Sequence, residues 1–291
     1  MPELNAACRA LKRTLDGIPS LQVCWAELPA RPKAGKTDRF GIWVVPVERD
    51  NIAIPGGSLP GPSIGYPAFA SISDIQLAST LQYGAIVIPD PTHVTIQSFG
   101  GNVFTTGRPG CVGASRPAGY SGEPPKSAVL GLLGWDETFS LGRWLARIRH
   151  ECPNGTLATH PDQNGSMTAF LEAMELSGME DWGVRFYRDR EAFLAGMPNH
   201  TINILMTDSP SDRIQESSDL AVAANRPILP SSSPTFRHLH HWFPSTLPIP
   251  SLIESFPESA RNLSDRWSIK TIGATWLAAI ESAAQQYRGT P

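Results

Sequence analysis

Apolar residues in the second half of the chain form short continuous runs that alternate with helically spaced stripes. The runs at residues 128–133 and 201–206 predict buried strands, and the stripes at 141–150 and 167–177 predict helices. Such alternation is typical of an α/β fold with a parallel sheet. The other elements predicted here are strands at 156–159, 184–187 and 227–230, helices at 190–195 and 215–224, and a final helix pair through 267–286.

The first half of the chain is less regular. Its predicted elements are a helix at 4–15, strands at 21–25, 40–46 and 85–89, a long loop at 51–67, and a helix capped by Ser73 and Asp74 that runs to Leu81. A stretch rich in Gly and Pro at 107–126 follows, and such composition favours a domain boundary. We therefore expect two domains, at residues 1–125 and 126–291, of which the first is shortened and irregular.

The amino-acid composition of the chain disfavours several classes of function. Hydrophobic residues make up 41% of the 291 residues and charged residues 18%, so the chain has enough apolar surface to fold. Lys and Arg number 24 against 27 for Asp and Glu, and this net charge of -3 provides no overall basic field for nucleic acid or anionic membranes. The 4 scattered cysteines suggest neither a disulfide framework nor a zinc knuckle. No apolar run reaches the length of about 18 residues that spans a bilayer, and we expect a soluble cytoplasmic protein.

Candidate chemistry lies in the loops that follow strands, because ligands of parallel sheets bind at the carboxyl ends of the strands. The loops concerned are 134–140, 207–218 and 231–238. A polar loop leads into a helix start at Ser217 and Ser218, with Arg213 just before it. Free N–H groups at a helix start, two hydroxyls and a guanidinium suit a phosphate or diphosphate. Glu216 or Asp219 in the same turn is a candidate to bind ribose hydroxyls.

The window from 206 to 238 resembles the donor-binding part of GT-B glycosyltransferases, and the similarity extends over about residues 128–285. Within the window, an acidic and small-residue loop opens a helix, an Asn-Arg-Pro turn follows, and a hydrophobic strand leads to a Ser-containing turn. The residues that carry the resemblance are Arg213, Ser217, Ser218, Asp219, Ala221, Ala223, Arg226, Pro227, Ile228, Ser232, Phe236, Arg237 and His238.

This resemblance implies two Rossmann-like domains of the GT-B type that bind a nucleotide sugar as co-substrate, with a UDP- or GDP-sugar as donor. It implies transfer of a hexose-like sugar without a metal or a cofactor. Arg213 and Arg237 are then expected at the diphosphate, with His238 at the edge of the same site. The acceptor stays open among a glycan, a small molecule and modified DNA.

Two features depart from the family pattern. The family usually has a lysine in the loop after the first strand of this domain, whereas residues 134–143 contain none, so Arg143 is the candidate replacement. The pair of glutamates eight residues apart that related retaining enzymes carry is also missing. For the general base that accepts the proton of the acceptor hydroxyl, the candidates by loop position are His93 and Asp136.

Two alternatives remain. The chain is either an enzyme or a non-catalytic binding or scaffold protein that kept the fold and lost the basic clamp. Within enzymes, a phage-type transferase that acts on DNA bases would use a basic cleft from Arg31, Lys33, Lys36 and Arg39, which the net charge of -3 disfavours. The His-rich run at 238–241 invites a metal site, but it lacks an evident fourth ligand, so no metal is expected.

Overall fold

The computed structural model describes residues 11, 15, 23–25, 42–48, 54–59, 61–90, 92, 102–108, 128–135, 140–160 and 166–289. The chain divides into two compact units. The first consists of Met1–Val112, Asp212–Glu216 and Ser264–Pro291, and the second of Gly113–Ser211 and Ser217–Leu263. This division differs from the predicted one at 125 and 126, because two later segments fold with the first unit.

Each unit contains a parallel sheet and helices, which confirms the predicted α/β class. The described strands are β1 (Val23–Trp25), β2 (Ile42–Pro46), β3 (Ser63–Tyr66), β4 (Ala85–Ile88), β5 (Val103–Thr105), β6 (Val129–Leu133), β7 (Thr156–Thr159), β8 (Gly183–Phe186), β9 (Ile202–Leu205) and β10 (Ile228–Pro230). The described α-helices are α1 (Ile72–Thr80), α2 (Ser140–Glu151), α3 (Met167–Leu176), α4 (Arg190–Gly196), α5 (Glu216–Ala223), α6 (Arg237–His240), α7 (Ile249–Arg266) and α8 (Ile269–Arg288). None of these described helices is long and apolar enough to cross a bilayer.

The first sheet has its strands in chain order, β1-β2-β3-β4-β5, and every pair is parallel. The sequence pattern missed strand β3, since residues 51–67 were predicted to be a loop. Its four residues are all buried, so it shows no polar and apolar alternation, and Pro62 and Pro67 flank it. The short strand β5 was missed as well, because three half-buried residues give too little pattern.

Helix α1 begins two or three residues earlier than the sequence predicted. The hydroxyl of Ser71 accepts a hydrogen bond from the N–H of Asp74 at 3.1 Å, so Ser71 is the N-cap. The predicted caps, Ser73 and Asp74, lie inside the first turn instead. Ser71 can cap because its backbone is extended (ψ 152), which turns its side chain toward the free N–H groups of the helix start.

Helix α8 completes the core of the first unit. Its side chains Ile272, Trp276, Ala279 and Ala283 recur every three or four residues and are all fully buried in one cluster with residues of β2, β3 and β4. The rings of Trp276 and Tyr66 lie 5.8 Å apart. This apolar stripe is the physical reason that the C-terminal segment belongs to the first unit rather than to the predicted second domain.

The second sheet has the order β10-β9-β6-β7-β8, again with parallel pairs. Its elements were predicted to within one or two residues. The chain starts at the central strand β6, moves to one edge through β7 and β8, and then returns to the other side with β9 and β10. This is the order of a doubly wound Rossmann-type sheet, and it creates a topological switch point between β6 and β9.

A buried hydrogen-bonded network links His200 to the second sheet. Its Nδ1–H donates to Oδ1 of Asn203 at 2.8 Å, and its Nε2 accepts from the hydroxyl of Tyr187 at 3.0 Å. Burial lowers the pKa of His200 below its usual 6.5, and the charges of Arg185 and Arg226 act in the same direction. The hydrogen bond to Asn203 opposes this shift only in part.

We expect this network to make the stability of the second unit depend on pH. Because the folded-state pKa of His200 is depressed, the unfolded chain binds more protons between that pKa and 6.5. The free energy of unfolding therefore falls as the pH drops below 6.5, by at most about 1.4 kcal/mol per pH unit, until the folded-state pKa is reached. Urea unfolding of wild type and His200→Gln between pH 5 and 7 tests this, and the variant is expected to have the shallower dependence. Equal slopes for wild type and His200→Gln would contradict the prediction.

Candidate functional site

The switch point of the second sheet opens where β6 and β9 end side by side. The N–H of Met206, directly after β9, donates to the carbonyl of Leu133 at the end of β6 at 2.8 Å. Gly134 follows with a φ of +86°, a conformation that side-chain-bearing residues rarely adopt. A Cβ at Gly134 would overlap the carbonyl oxygen of Met206. The two chain segments can approach each other this closely only because residue 134 is glycine.

The aromatic residue at this edge is part of the core. Trp135 is 2% exposed, and its Nε1–H donates to the hydroxyl of Thr159 at 2.6 Å. Its ring centroid lies 5.0 Å from that of Phe170 on α3. These contacts fix the Trp135 side chain in the core of the second unit, directly after Gly134.

Two loops at the carboxyl edge, residues 207–211 after β9 and residues 231–235 after β10, are joined by a row of hydroxyl groups. Alternate side chains of the second loop donate to alternate carbonyls of the first. These bonds are Ser231 Oγ to Thr207 O at 2.9 Å, Ser233 Oγ to Ser209 O at 2.7 Å, and Thr235 Oγ1 to Ser211 O at 2.8 Å. Each bond satisfies both a hydroxyl and a backbone carbonyl, so the row holds the two loops at a constant spacing.

Three buried polar residues, Ser217, Ser218 and Asp219, follow Glu216 in the first turn of α5. The hydroxyl of Ser218 lies 3.1 Å from Nε2 of His238, which is fully buried. The structure thus brings together two residues of the predicted window that are twenty positions apart. Glu216, the first residue of the helix, is half-buried.

Three arginines that the sequence analysis names differ in their exposure and in their hydrogen-bond partners. They are Arg237, Arg143 and Arg226. Arg237, the first residue of α6, is half-buried, and its Nη1 donates to the carbonyl of Pro234 at 3.1 Å. Arg143 is exposed in the first turn of α2, the helix that follows β6. Arg226 donates from Nε to the carbonyl of Pro198 at 2.6 Å, which assigns the Arg of the Asn-Arg-Pro turn a structural role.

Arg213 lies in the first unit. Its guanidinium forms an ion pair with Glu48, which is 7% exposed, and it stacks on Phe69 with Cζ 4.0 Å from the ring centroid. Sequence reasoning missed Glu48 and Phe69 as its partners. One signal was present, because Glu48 lies two residues after the predicted strand at 40–46, where parallel sheets place functional side chains. A role of Arg213 at a diphosphate stays a prediction.

The two predicted general bases, His93 and Asp136, lie outside the described residues. Asp90, at the end of β4, is described and fully buried. Its Oδ1 accepts from the N–H and the hydroxyl of Thr92 at 2.9 and 2.6 Å. This carboxylate therefore fixes the position of Thr92 after β4.

Within the described part of the chain, no group of three or more His, Cys, Asp and Glu side chains is arranged to hold a metal ion. In the His-rich run, His238 contacts Ser218, and Nε2 of His240 lies 2.8 Å from the carbonyl of Ser231. Both histidines thus contact the second unit's own chain.

Comparison with known proteins finds similar solved structures that are GT-B glycosyltransferases. Anabaena Alr3699/HepE in complex with UDP is 11% identical over 76% of this chain and 72% of that chain, with a TM-score of 0.48. TarM is 11% identical over 82% of this chain and 54% of its own, with a TM-score of 0.46. The GtfA/B complex is 8% identical over 84% and 57%, with a TM-score of 0.49. No protein-family model and no curated protein sequence matches the chain.

Proposed function

We propose that the chain is a nucleotide-sugar-dependent glycosyltransferase of the GT-B type, whose second unit binds the diphosphate of the donor at Ser217 and Ser218 in the first turn of α5. The observation that carries this proposal is the buried group Ser217, Ser218 and His238 at that helix start. Helix α5 connects β9 to β10, so its N-terminus lies at the carboxyl edge beside the switch point.

The physical argument is electrostatic. The first turn of a helix has N–H groups without partners inside the helix, and these attract an anion together with the helix dipole. The hydroxyls of Ser217 and Ser218 add donors at the same place. Arg237, at the start of α6, is the side chain that we assign to the diphosphate, and Glu216 or Asp219 is assigned to ribose hydroxyls. Arg143 is the further cation proposed in place of the family's lysine.

These groups act where charge develops during transfer. The acceptor oxygen attacks the anomeric carbon, the bond from that carbon to the diphosphate oxygen breaks, and the departing nucleoside diphosphate gains negative charge. Helix N–H groups and Arg237 stabilise that charge without a metal ion. The acceptor's proton passes to a base, for which His93 and Asp136 are the proposed candidates. Division into two units, each with its own parallel sheet, supports the two-domain organisation that this reaction uses.

Binding of nucleotides tests this proposal. We expect UDP or GDP to bind wild type in calorimetry, and Arg237→Ala to weaken that binding about tenfold, because a charge-assisted hydrogen bond contributes roughly 1.5 kcal/mol. Affinity for the nucleoside without phosphates should not change in the variant. Arg188→Ala is the matched control, since its side chain is 89% exposed and pairs only with the neighbouring Asp189 among the described contacts.

Each alternative has a distinct result. If wild type binds neither UDP nor GDP, or if Arg237→Ala binds them as tightly as wild type does, the proposed site is wrong. Nucleotide binding without hydrolysis or transfer from UDP- and GDP-sugars would favour the non-catalytic binding protein. Sugar transfer to a DNA base, together with a gel shift on duplex DNA at low salt, would favour the phage-type enzyme.

A further inference from the structure

The short helix α6 contains most of the His-rich run, and two of its histidines contact other elements of the second unit. Nε2 of His238, a fully buried residue, lies 3.1 Å from the hydroxyl of Ser218 in the first turn of α5. Nε2 of His240 lies 2.8 Å from the carbonyl of Ser231, directly after β10. The two histidines therefore connect α6 both to α5 and to the end of β10.

Arg237 is the half-buried residue of an otherwise buried run, residues 235–239. The two residues before it and the two after it are each at most 1% exposed, and these are Thr235, Phe236, His238 and Leu239. The Nη1 of Arg237 donates to the carbonyl of Pro234 at 3.1 Å. Because its neighbours are packed, the backbone of Arg237 is fixed, while its side chain stays partly accessible to a ligand.

The hydroxyl row restrains the same run from the residues before Arg237. Oγ1 of Thr235 donates to the carbonyl of Ser211 at 2.8 Å. Oγ of Ser233 donates to the carbonyl of Ser209 at 2.7 Å, and it accepts from the N–H of Thr235 at 3.4 Å. Both hydroxyls belong to buried residues, where water cannot readily replace a lost hydrogen bond. The row thus limits where the chain that enters α6 can lie.

The contact of His238 with Ser218 also sets how far Arg237 lies from α5. Residues 237 and 238 are adjacent in a helix of four residues, and consecutive Cα atoms are about 3.8 Å apart. A serine hydroxyl can accept from the Nε2–H of an imidazole and still donate its own proton to a ligand. The contact is therefore compatible with an anion at the first turn of α5, and it brings the backbone of Arg237 near that turn.

We propose that His238 is a positioning residue for Arg237: its contact with Ser218 holds α6 beside the first turn of α5, so that the guanidinium and the helix N–H groups bind the same diphosphate. This inference rests on the proposed function and gives the His-rich run a positioning role in it. The residues whose contacts carry it all belong to the second unit. Loss of the imidazole then loosens the guanidinium from the helix start and weakens binding of the diphosphate.

Calorimetry on a double-mutant cycle tests this role. We expect His238→Leu, which removes the donor and keeps a buried side chain, to bind UDP or GDP about fivefold more weakly than wild type. In the Arg237→Ala background the same change should weaken binding by less than about twofold, because the cation that His238 positions is already absent. His238→Gln keeps an N–H at the end of its side chain and should bind within about twofold of wild type.

Two further variants complete the design, and the first keeps it informative if His238→Leu folds poorly. Thr235→Val keeps the shape of the buried side chain and removes its hydroxyl from the row. It should show a similar loss of affinity and the same coupling to Arg237→Ala. His150→Leu is the matched control, since His150 is exposed at the end of α2, and it should bind as wild type does.

The outcomes separate this inference from the proposed function. If Arg237→Ala weakens binding but His238→Leu and Thr235→Val bind like wild type, the inference is wrong and the proposed function stands. Losses that are equal with and without Arg237 also contradict the inference, because His238 would then act independently of the arginine. Equal losses in His238→Gln and His238→Leu would show that the hydrogen bond is not what matters, which overturns it too. If wild type binds neither UDP nor GDP, both the proposed function and this inference fail.

Discussion

Gly134→Ala should destabilise the second unit by about 3 kcal/mol or more, the largest effect that we expect from adding a single methyl group. Residue 134 has a φ of +86°, and a Cβ there would overlap the backbone carbonyl oxygen of Met206. A backbone oxygen cannot turn away as a flexible side chain can, so β6 and β9 must separate at the switch point. Urea unfolding followed by tryptophan fluorescence measures the loss.

Gly142→Ala is the matched control for this prediction. Gly142 lies in α2, and a Cβ there meets nothing within 4 Å. Alanine in a helix should stabilise by about 0.5–1 kcal/mol relative to glycine, so the two substitutions are expected to have opposite signs. Wild-type stability of Gly134→Ala would mean that the chain after β6 is not held against Met206. The proposed nucleotide site would then lose its structural basis at that strand.

Trp276→Ala should cost about 3–5 kcal/mol, the usual range for removing a large buried aromatic side chain. Trp276 is fully buried against the first sheet, with its ring 5.8 Å from that of Tyr66. Because α8 packs on β3 and β4, amide exchange should rise in residues 63–66 and 85–88. Exchange in the second sheet, at residues 129–133, should stay near the wild-type rate.

Leu277→Ala provides the comparison at the next position of the same helix. Leu277 is 40% exposed, and its truncation should change the free energy of unfolding by less than about 1 kcal/mol. Faster exchange at 129–133 in Trp276→Ala, with none at 63–66, would place α8 with the second sheet. That result would mean that α8 belongs to the second domain, residues 126–291, as the sequence pattern predicted.

Local sequence patterns were sufficient to predict the strands of the second sheet. The run at 128–133 became β6 (Val129–Leu133), and the run at 201–206 became β9 (Ile202–Leu205). Continuous apolar runs identify strands that are covered on both faces, and the intervening helices have clear stripes. Strand β3 escaped the same reasoning because its short segment, Ser63–Tyr66, lies among prolines and glycine.

The residues of the candidate site could likewise be predicted from the sequence only in part. Sequence reasoning selected Ser218 and His238, which lie 3.1 Å apart in the structure. It also selected Arg213, but it had no means of finding Glu48, which is 165 positions away along the chain. Pairing over such a distance depends on which strand ends lie side by side, and no local window contains that information.

The sequence by itself determined the α/β class, nearly all elements of the second sheet, and the window around α5 that resembles a donor site. Only the tertiary structure decided that residues 212–216 and the helix α8 fold with the first unit. The physical reason is that periodicity marks a buried face without specifying what covers it. The partner of the Trp276 face, like that of the Ile214 side chain, is selected by packing across the whole first unit.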